Sequence, residues 1–137
     1  MMQWNTFLTF NGQCEAAFRF YERCFGGQIG MILTWGDSPM AYQMPPEWAG
    51  KVCHATLTVG SNILSAADVP AGQYEPPKGF AMQVNIDEAA EAERIFQALS
   101  EGGNVRMPIQ KTFWALRYGE VTDRFGITWT INAEQAQ

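Results

Sequence analysis

The sequence predicts an α+β fold made of two βαβββ repeats, and three observations carry that expectation. Sliding the chain along itself lays Glu15 on Glu91, Ala16 on Ala92, Phe20 on Phe96, Gly26-Gly27 on Gly102-Gly103 and Met31 on Met107, the mark of an internal duplication. Each half carries one stretch with helical apolar spacing, and that stretch ends at a Gly-Gly pair. Around it lie segments that alternate apolar and polar residues with period 2, the pattern of a strand with one buried face.

In the first half, Trp4–Phe10 alternates, with Trp4, Thr6, Leu8 and Phe10 on one side and Asn5, Phe7 and Thr9 on the other. Asn11-Gly12 turns the chain. Ala17, Phe18, Tyr21, Cys24 and Phe25 then predict a helix over Cys14–Phe25. Gly26-Gly27 stops it by supplying a left-handed residue. Gln28–Trp35 reads as a strand, and Gly36–Lys51, with Asp37-Ser38-Pro39, Pro45-Pro46 and Gly50, as a loop. Met40, Tyr42, Met44 and Trp48 make that loop unusually apolar, so it is expected to pack over something. Val52–Gly60 and Asn62–Ala67 are two further strands.

Residues 68–79, with Pro70, Gly72, Pro76, Pro77 and Gly79, read as a linker between repeat one (1–67) and repeat two (80–137) of a single domain over 1–137. Phe80, Met82, Val84 and Ile86 mark a strand face. A helix follows from Asp87, as N-cap, to Glu101, with Ala90, Arg94, Ile95, Ala98 and Leu99 setting its period. Asn104–Lys111, Trp114–Thr122 and Ile127–Asn132 complete the strands. Asp123–Gly126 is the turn before the last one; Asp123 braces it through side-chain bonds to the backbone and Gly126 takes a positive φ. Ile127, Trp129 and Ile131 then face a core while Thr128, Thr130 and Asn132 face the other way.

A composition of 47% hydrophobic and 17% charged residues is that of a folded globular chain. The net charge of −5 and the lack of any basic run argue against a nucleic-acid partner. No apolar run approaches the ~18 residues of a membrane helix, and MMQWNTF lacks the features of an export signal, so the expected compartment is the cytoplasm. Cys14 and Cys24 are separated by about 15 Å of helix rise and cannot bond to each other. With Cys53 they read as small buried thiols, and no Cys/His spacing suggests zinc.

FNGQCEAAFRFYERCFGG at the first helix, HATLTVGSNIL in the middle and TFWALRYGEVTDRFGITWTIN at the end resemble the PhnB-like branch of the vicinal-oxygen-chelate superfamily. That superfamily also holds the glyoxalases, the bleomycin-resistance proteins and the extradiol dioxygenases. The resemblance covers nearly the whole chain. It implies a cupped, partly closed mixed sheet with helices on the outer face, and commonly a dimer. In the superfamily's enzymes a divalent metal sits in the cup, held by His, Gln or Glu from the first and last strand of each half.

Matching strands puts Asn5, Ser65, Ala81 and Thr130 at those four positions. Moving the register by one offers Thr6, Ala66, Phe80, Met82 and Ile131, which are no better. Divalent ions require carboxylate or imidazole donors, so no metal and no cofactor is expected. If Leu8, Leu57, Val84 and Trp129 face the helices, the cup side carries Asn5, Phe7, Thr9, His54, Thr56, Thr58, Gln83, Asn85, Thr128 and Thr130. Small hydroxyls and amides on such a face bond water or ligand without buried charge. His54, the only histidine, is either a general base or ligand, or a structural imidazole. Trp114, with Phe113, and Tyr118 form either a stacking wall or core and dimer contact. Arg117 and Glu120 read as solvated edge charges.

The expected function is therefore binding of a small, uncharged organic molecule by a homodimer without a functional metal site. The ligand-pocket candidates are Asn5, Phe7, His54, Thr56, Gln83, Trp114, Tyr118 and Thr130. The alternative is a metal-dependent lyase or dioxygenase of the same superfamily with non-standard ligands. Whether any reaction is catalysed, and by which residues, stays open. No glycine-rich loop leads from a strand into a helix, so a methyltransferase site of the Rossmann kind has no support.

Overall fold

The computed structural model describes residues 1–134. The chain divides into two compact units, Met1–Glu75 and Pro76–Gln137, each with one helix and one four-stranded mixed sheet.

In the first unit the order is β1 (Thr6–Phe10), α1 (Cys14–Phe25), β2 (Gln28–Thr34), β3 (Val52–Val59) and β4 (Asn62–Asp68). The sheet runs β1-β4-β3-β2, with β1 parallel to β4 and the other pairs antiparallel. Helix α1 lies against β2, β3 and β4. Its buried side chains Ala17, Phe18, Tyr21 and Cys24 form the core with Leu8, Phe10, Ala55, Leu57 and Ala66. The helix has no cap of its own at Gln13. Asp68, at the far end of β4, supplies one: its Oδ1 accepts from the Cys14 N–H at 2.9 Å while its Oδ2 accepts from the Val52 N–H at 2.9 Å. Asp68 is thus 1% exposed and belongs to the sheet, not to the linker that its sequence neighbours suggest. The helix ends at Gly26, whose φ of 75° is a left-handed conformation that side chains other than glycine's resist.

The second unit repeats the plan: β5 (Met82–Asn85), α2 (Ala89–Ser100), β6 (Asn104–Gln110), β7 (Ala115–Thr122) and β8 (Thr128–Glu134), in the sheet order β5-β8-β7-β6. Helix α2 lies on β6, β7 and β8. The duplication extends to a defect. Pairing of β2 with β3 slips between Ile29 and Met31, and pairing of β6 with β7 slips between Val105 and Met107, at matching places. The two halves lose step beyond that point because residues 35–51 connect β2 to β3 whereas residues 111–114 connect β6 to β7. Each sheet is open, with β1 and β2, or β5 and β6, as its edges.

Several sequence expectations need correction. Trp4 and Asn5 precede β1, which starts where its partner β4 begins to pair, and Trp4 is 88% exposed. Phe80 and Ile86 lie outside β5, and Trp114 lies just before β7. The N-cap of α2 is Glu88 and not Asp87; the buried face is Ala92, Ile95, Phe96 and Leu99, with Ala90 and Arg94 exposed. The loop 36–51 contains two short 3-10 turns, Ala41–Gln43 and Pro46–Trp48. Met44 and Trp48 are half-buried in it, but Met40 and Tyr42 point to solvent.

Candidate functional site

Which side of each sheet is free for a ligand follows from where its helix packs. A Cβ on Gly119 would lie 2.7 Å from the Phe96 ring of α2, so Gly119 faces the helix, and its neighbours Tyr118 and Glu120 face away. Ile131 and Trp129, buried at 0% and 2%, face the helix from β8, which leaves Thr130 and Asn132 on the open side. In the first unit buried Ala55 and Leu57 play the same part and turn His54, Thr56 and Thr58 away.

Hydrogen-bond register arranges these open-side residues in rows. One row of the first sheet runs Phe7, Ser65, Thr56, Met31. The corresponding row of the second runs Gln83, Thr130, Glu120, Met107. A second row there runs Asn85, Asn132, Tyr118, Gln110. Six of the eight sequence candidates therefore stand on open faces: Phe7, His54 and Thr56 in one unit, Gln83, Tyr118 and Thr130 in the other. The remaining two stand at strand approaches. Asn5 is exposed ahead of β1, and Trp114 is 46% exposed ahead of β7.

In the first unit the Phe7 and His54 rings stack with centroids 6.4 Å apart and planes at 24°. The second unit has the denser polar cluster. Gln83 Nε2 and Asn132 Nδ2 both donate to Asn85 Oδ1 at 3.1 Å. The Tyr118 hydroxyl donates to Glu120 Oε2 at 3.1 Å. Desolvation, then the Glu120 carboxylate, pushes the Tyr118 phenol above its ordinary range. The nearby Thr130 hydroxyl acts the other way, although it makes no hydrogen bond of ordinary geometry. Two atoms of the cluster, Thr130 Oγ1 and Asn132 Oδ1, are buried without a hydrogen-bond partner. Asn132 itself is 5% exposed. Trp114 packs edge-on against Tyr118 at 5.3 Å and against Phe113 at 4.7 Å, so an aromatic wall borders the cluster.

Glu120 is the residue that sequence reasoning missed. Strand β7 lies between β6 and β8 and is not an edge. Its carboxylate stands directly across from Thr130 on a face expected to be neutral. Arg117, read with it as an edge charge, turns to the helix side, where Nε donates to Glu93 Oε1 at 2.6 Å. Parity with the helix-facing Val121 was the available signal, since residues 118 and 120 then fall on the open side.

The resemblance implies metal-holding places at Asn5, Ser65, Ala81 and Thr130. Ala81 has no donor, and Asn5 and Ala81 precede their strands. Among the described residues no three His, Cys, Asp or Glu side chains gather. Neutral hydroxyl and amide oxygens do not replace carboxylate or imidazole ligands, so these residues do not fit a divalent ion.

The sequence profile of the glyoxalase/bleomycin resistance protein/dioxygenase superfamily matches residues 4–131. The chain belongs to this superfamily. It is 30% identical to the Escherichia coli (strain K12) protein YjdN, over 99% of this chain and 98% of that one. Among solved structures of the superfamily's fold, protein PA1353 from Pseudomonas aeruginosa shares 45% identity with a TM-score of 0.90, covering 99% of this chain and 100% of its own. A PhnB protein from Bacillus cereus has 24% identity and a TM-score of 0.79 over 96% and 99% of the two chains. At that identity it supports the glyoxalase-type fold alone.

Proposed function

We propose that this glyoxalase-superfamily chain is a PhnB-like small-molecule-binding protein that works without a metal ion. The observation that carries the reading is the pair of buried, unpartnered atoms Thr130 Oγ1 and Asn132 Oδ1 on the open face of the second sheet. Buried polar atoms find a partner in nearly all folded proteins, and an orphan pair beside an aromatic wall suits a ligand that completes the bonds. Gln83, Tyr118 and Thr130 are the polar contacts in this reading, and Trp114 is the stacking surface. Phe7, His54 and Thr56 form the related surface of the first unit, and Asn5 borders it.

The chain acts as a homodimer in the cytoplasm in this proposal. Exposed Trp4, Phe80 and Phe113 supply apolar surface that a second copy would cover. The test is a thermal-shift screen of the purified protein against small organic molecules. A specific binder raises the midpoint by mass action, by about 2.7 kcal/mol of stability at a hundredfold excess over Kd. A hit whose shift disappears in T130V supports the reading; hits that ignore both T130V and W114A count against it.

A further inference from the structure

Two acceptors stand out in the polar cluster on the second sheet, Asn132 Oδ1 and the Glu120 carboxylate. Asn85 Oδ1 takes up the amide N–H groups of both Gln83 and Asn132. That leaves Asn132 Oδ1 buried and unpartnered on a side chain only 5% exposed. Tyr118 spends its hydroxyl proton on Glu120. Among the described residues no Lys or Arg pairs with Glu120, and Arg117 of the same strand is engaged with Glu93 on the helix side. A half-buried carboxylate thus stands without a cation, one residue pair away from an orphaned amide oxygen and bonded to the Tyr118 hydroxyl, whose ring packs against Trp114.

We infer that this face takes the primary ammonium group of a small amine with a flat apolar body, with Glu120 and Asn132 Oδ1 accepting its N–H groups and Trp114 lying along its body. The inference rests on the small-molecule reading above and names its ligand class. Three features of the chemistry agree. A carboxylate and an aromatic ring together stabilise an organic cation. An anionic ligand is repelled by Glu120. A quaternary ammonium brings charge but no N–H group for Asn132 Oδ1, which would stay unpaired.

The probes are phenethylammonium, phenethyl alcohol and phenethyltrimethylammonium, titrated at neutral pH into the full chain and followed by calorimetry and by Trp fluorescence. The primary ammonium should bind about tenfold or more tightly than the alcohol. E120Q should bring it down to the alcohol's level, with the unliganded melt confirming that the variant folds. The quaternary probe should fall between the two, and W114F should lose most of the fluorescence change. Equal binding of ammonium and alcohol, or full affinity in E120Q, overturns the amine assignment and leaves small-molecule binding standing. If no probe perturbs the protein up to its solubility limit, the assignment falls, and the thermal-shift screen then decides the broader reading by itself.

Discussion

Asp123 shows how one side chain fixes a turn, a strand start and a core tryptophan together. Its Oδ1 accepts from the Phe125 N–H at 2.8 Å and the Ile127 N–H at 3.1 Å, and its Oδ2 accepts from Trp129 Nε1 at 2.9 Å. The turn-bracing role is readable from Asp-Arg-Phe-Gly; the bond to Trp129 is not, because it depends on where β8 swings the indole. In D123N the amide nitrogen faces one of these donors and leaves it unpaired in a site only 3% exposed. We expect a loss of about 2 kcal/mol, read as a lower urea midpoint with unchanged slope. Tyr118 gives a second expectation. Its phenol is held above the ordinary range by desolvation and by Glu120, so the folded state keeps a proton that the unfolded state has already released. Stability should therefore fall as pH rises through and beyond the ordinary phenol range. Y118F should flatten that alkaline loss. E120Q should move the Tyr118 ionisation back toward ordinary values, as followed by tyrosinate absorbance; an unchanged absorbance titration would remove Glu120 as the cause.

Among the secondary-structure elements, β7 and α2 meet through an absence. Gly119 is buried, and a Cβ there would lie 2.7 Å from Phe96 Cε2 and 2.9 Å from Ile109 Cα. One of these contacts is with backbone, which cannot rotate away. G119A should cost about 1–3 kcal/mol by overpacking. G50A is the control: no atom lies within 4 Å of its Cβ, and the change should stay within about 0.5 kcal/mol. The same contacts explain what was legible. Helix α1 spans the expected Cys14–Phe25 because apolar spacing and Gly26 both act locally. The start of α2 was misplaced because Asp87 has the composition of a cap, yet the backbone turns helical after Glu88. Strand ends were overrun at Trp4, Phe80 and Trp114, since alternation continues where the pairing partner does not. The site was legible as a set of faces. The placing of Glu120 beside Thr130 required the register between β7 and β8, which the spacing of charges in one strand does not encode.

For the molecule as a whole, the duplicated plan is kept while the chemistry of its two halves differs. Repeat-related places carry Phe7 and Gln83, Ser65 and Thr130, Thr56 and Glu120, so the rows persist while their chemistry differs. The His54 imidazole sits on the open face of the first unit and the Glu120 carboxylate on that of the second, each with neutral partners in its row. A divalent ion in a protein site gains its affinity from several such donors at ~2 Å, and a lone carboxylate among hydroxyls holds one only weakly. Any ion bound to the folded state alone would add RT ln(1 + [M]/Kd) to its stability. Protein purified without chelator should therefore contain far less than one equivalent of Fe, Mn, Ni or Zn by elemental analysis. EDTA should leave the thermal midpoint where it was, and adding each ion at a hundredfold molar excess should raise it by no more than calcium does as a nonspecific control. A stoichiometric metal, or a midpoint that falls with EDTA and recovers with one ion alone, would replace the metal-free reading with a lyase or dioxygenase that uses unforeseen ligands; E120Q and H54N would then show which unit supplies them.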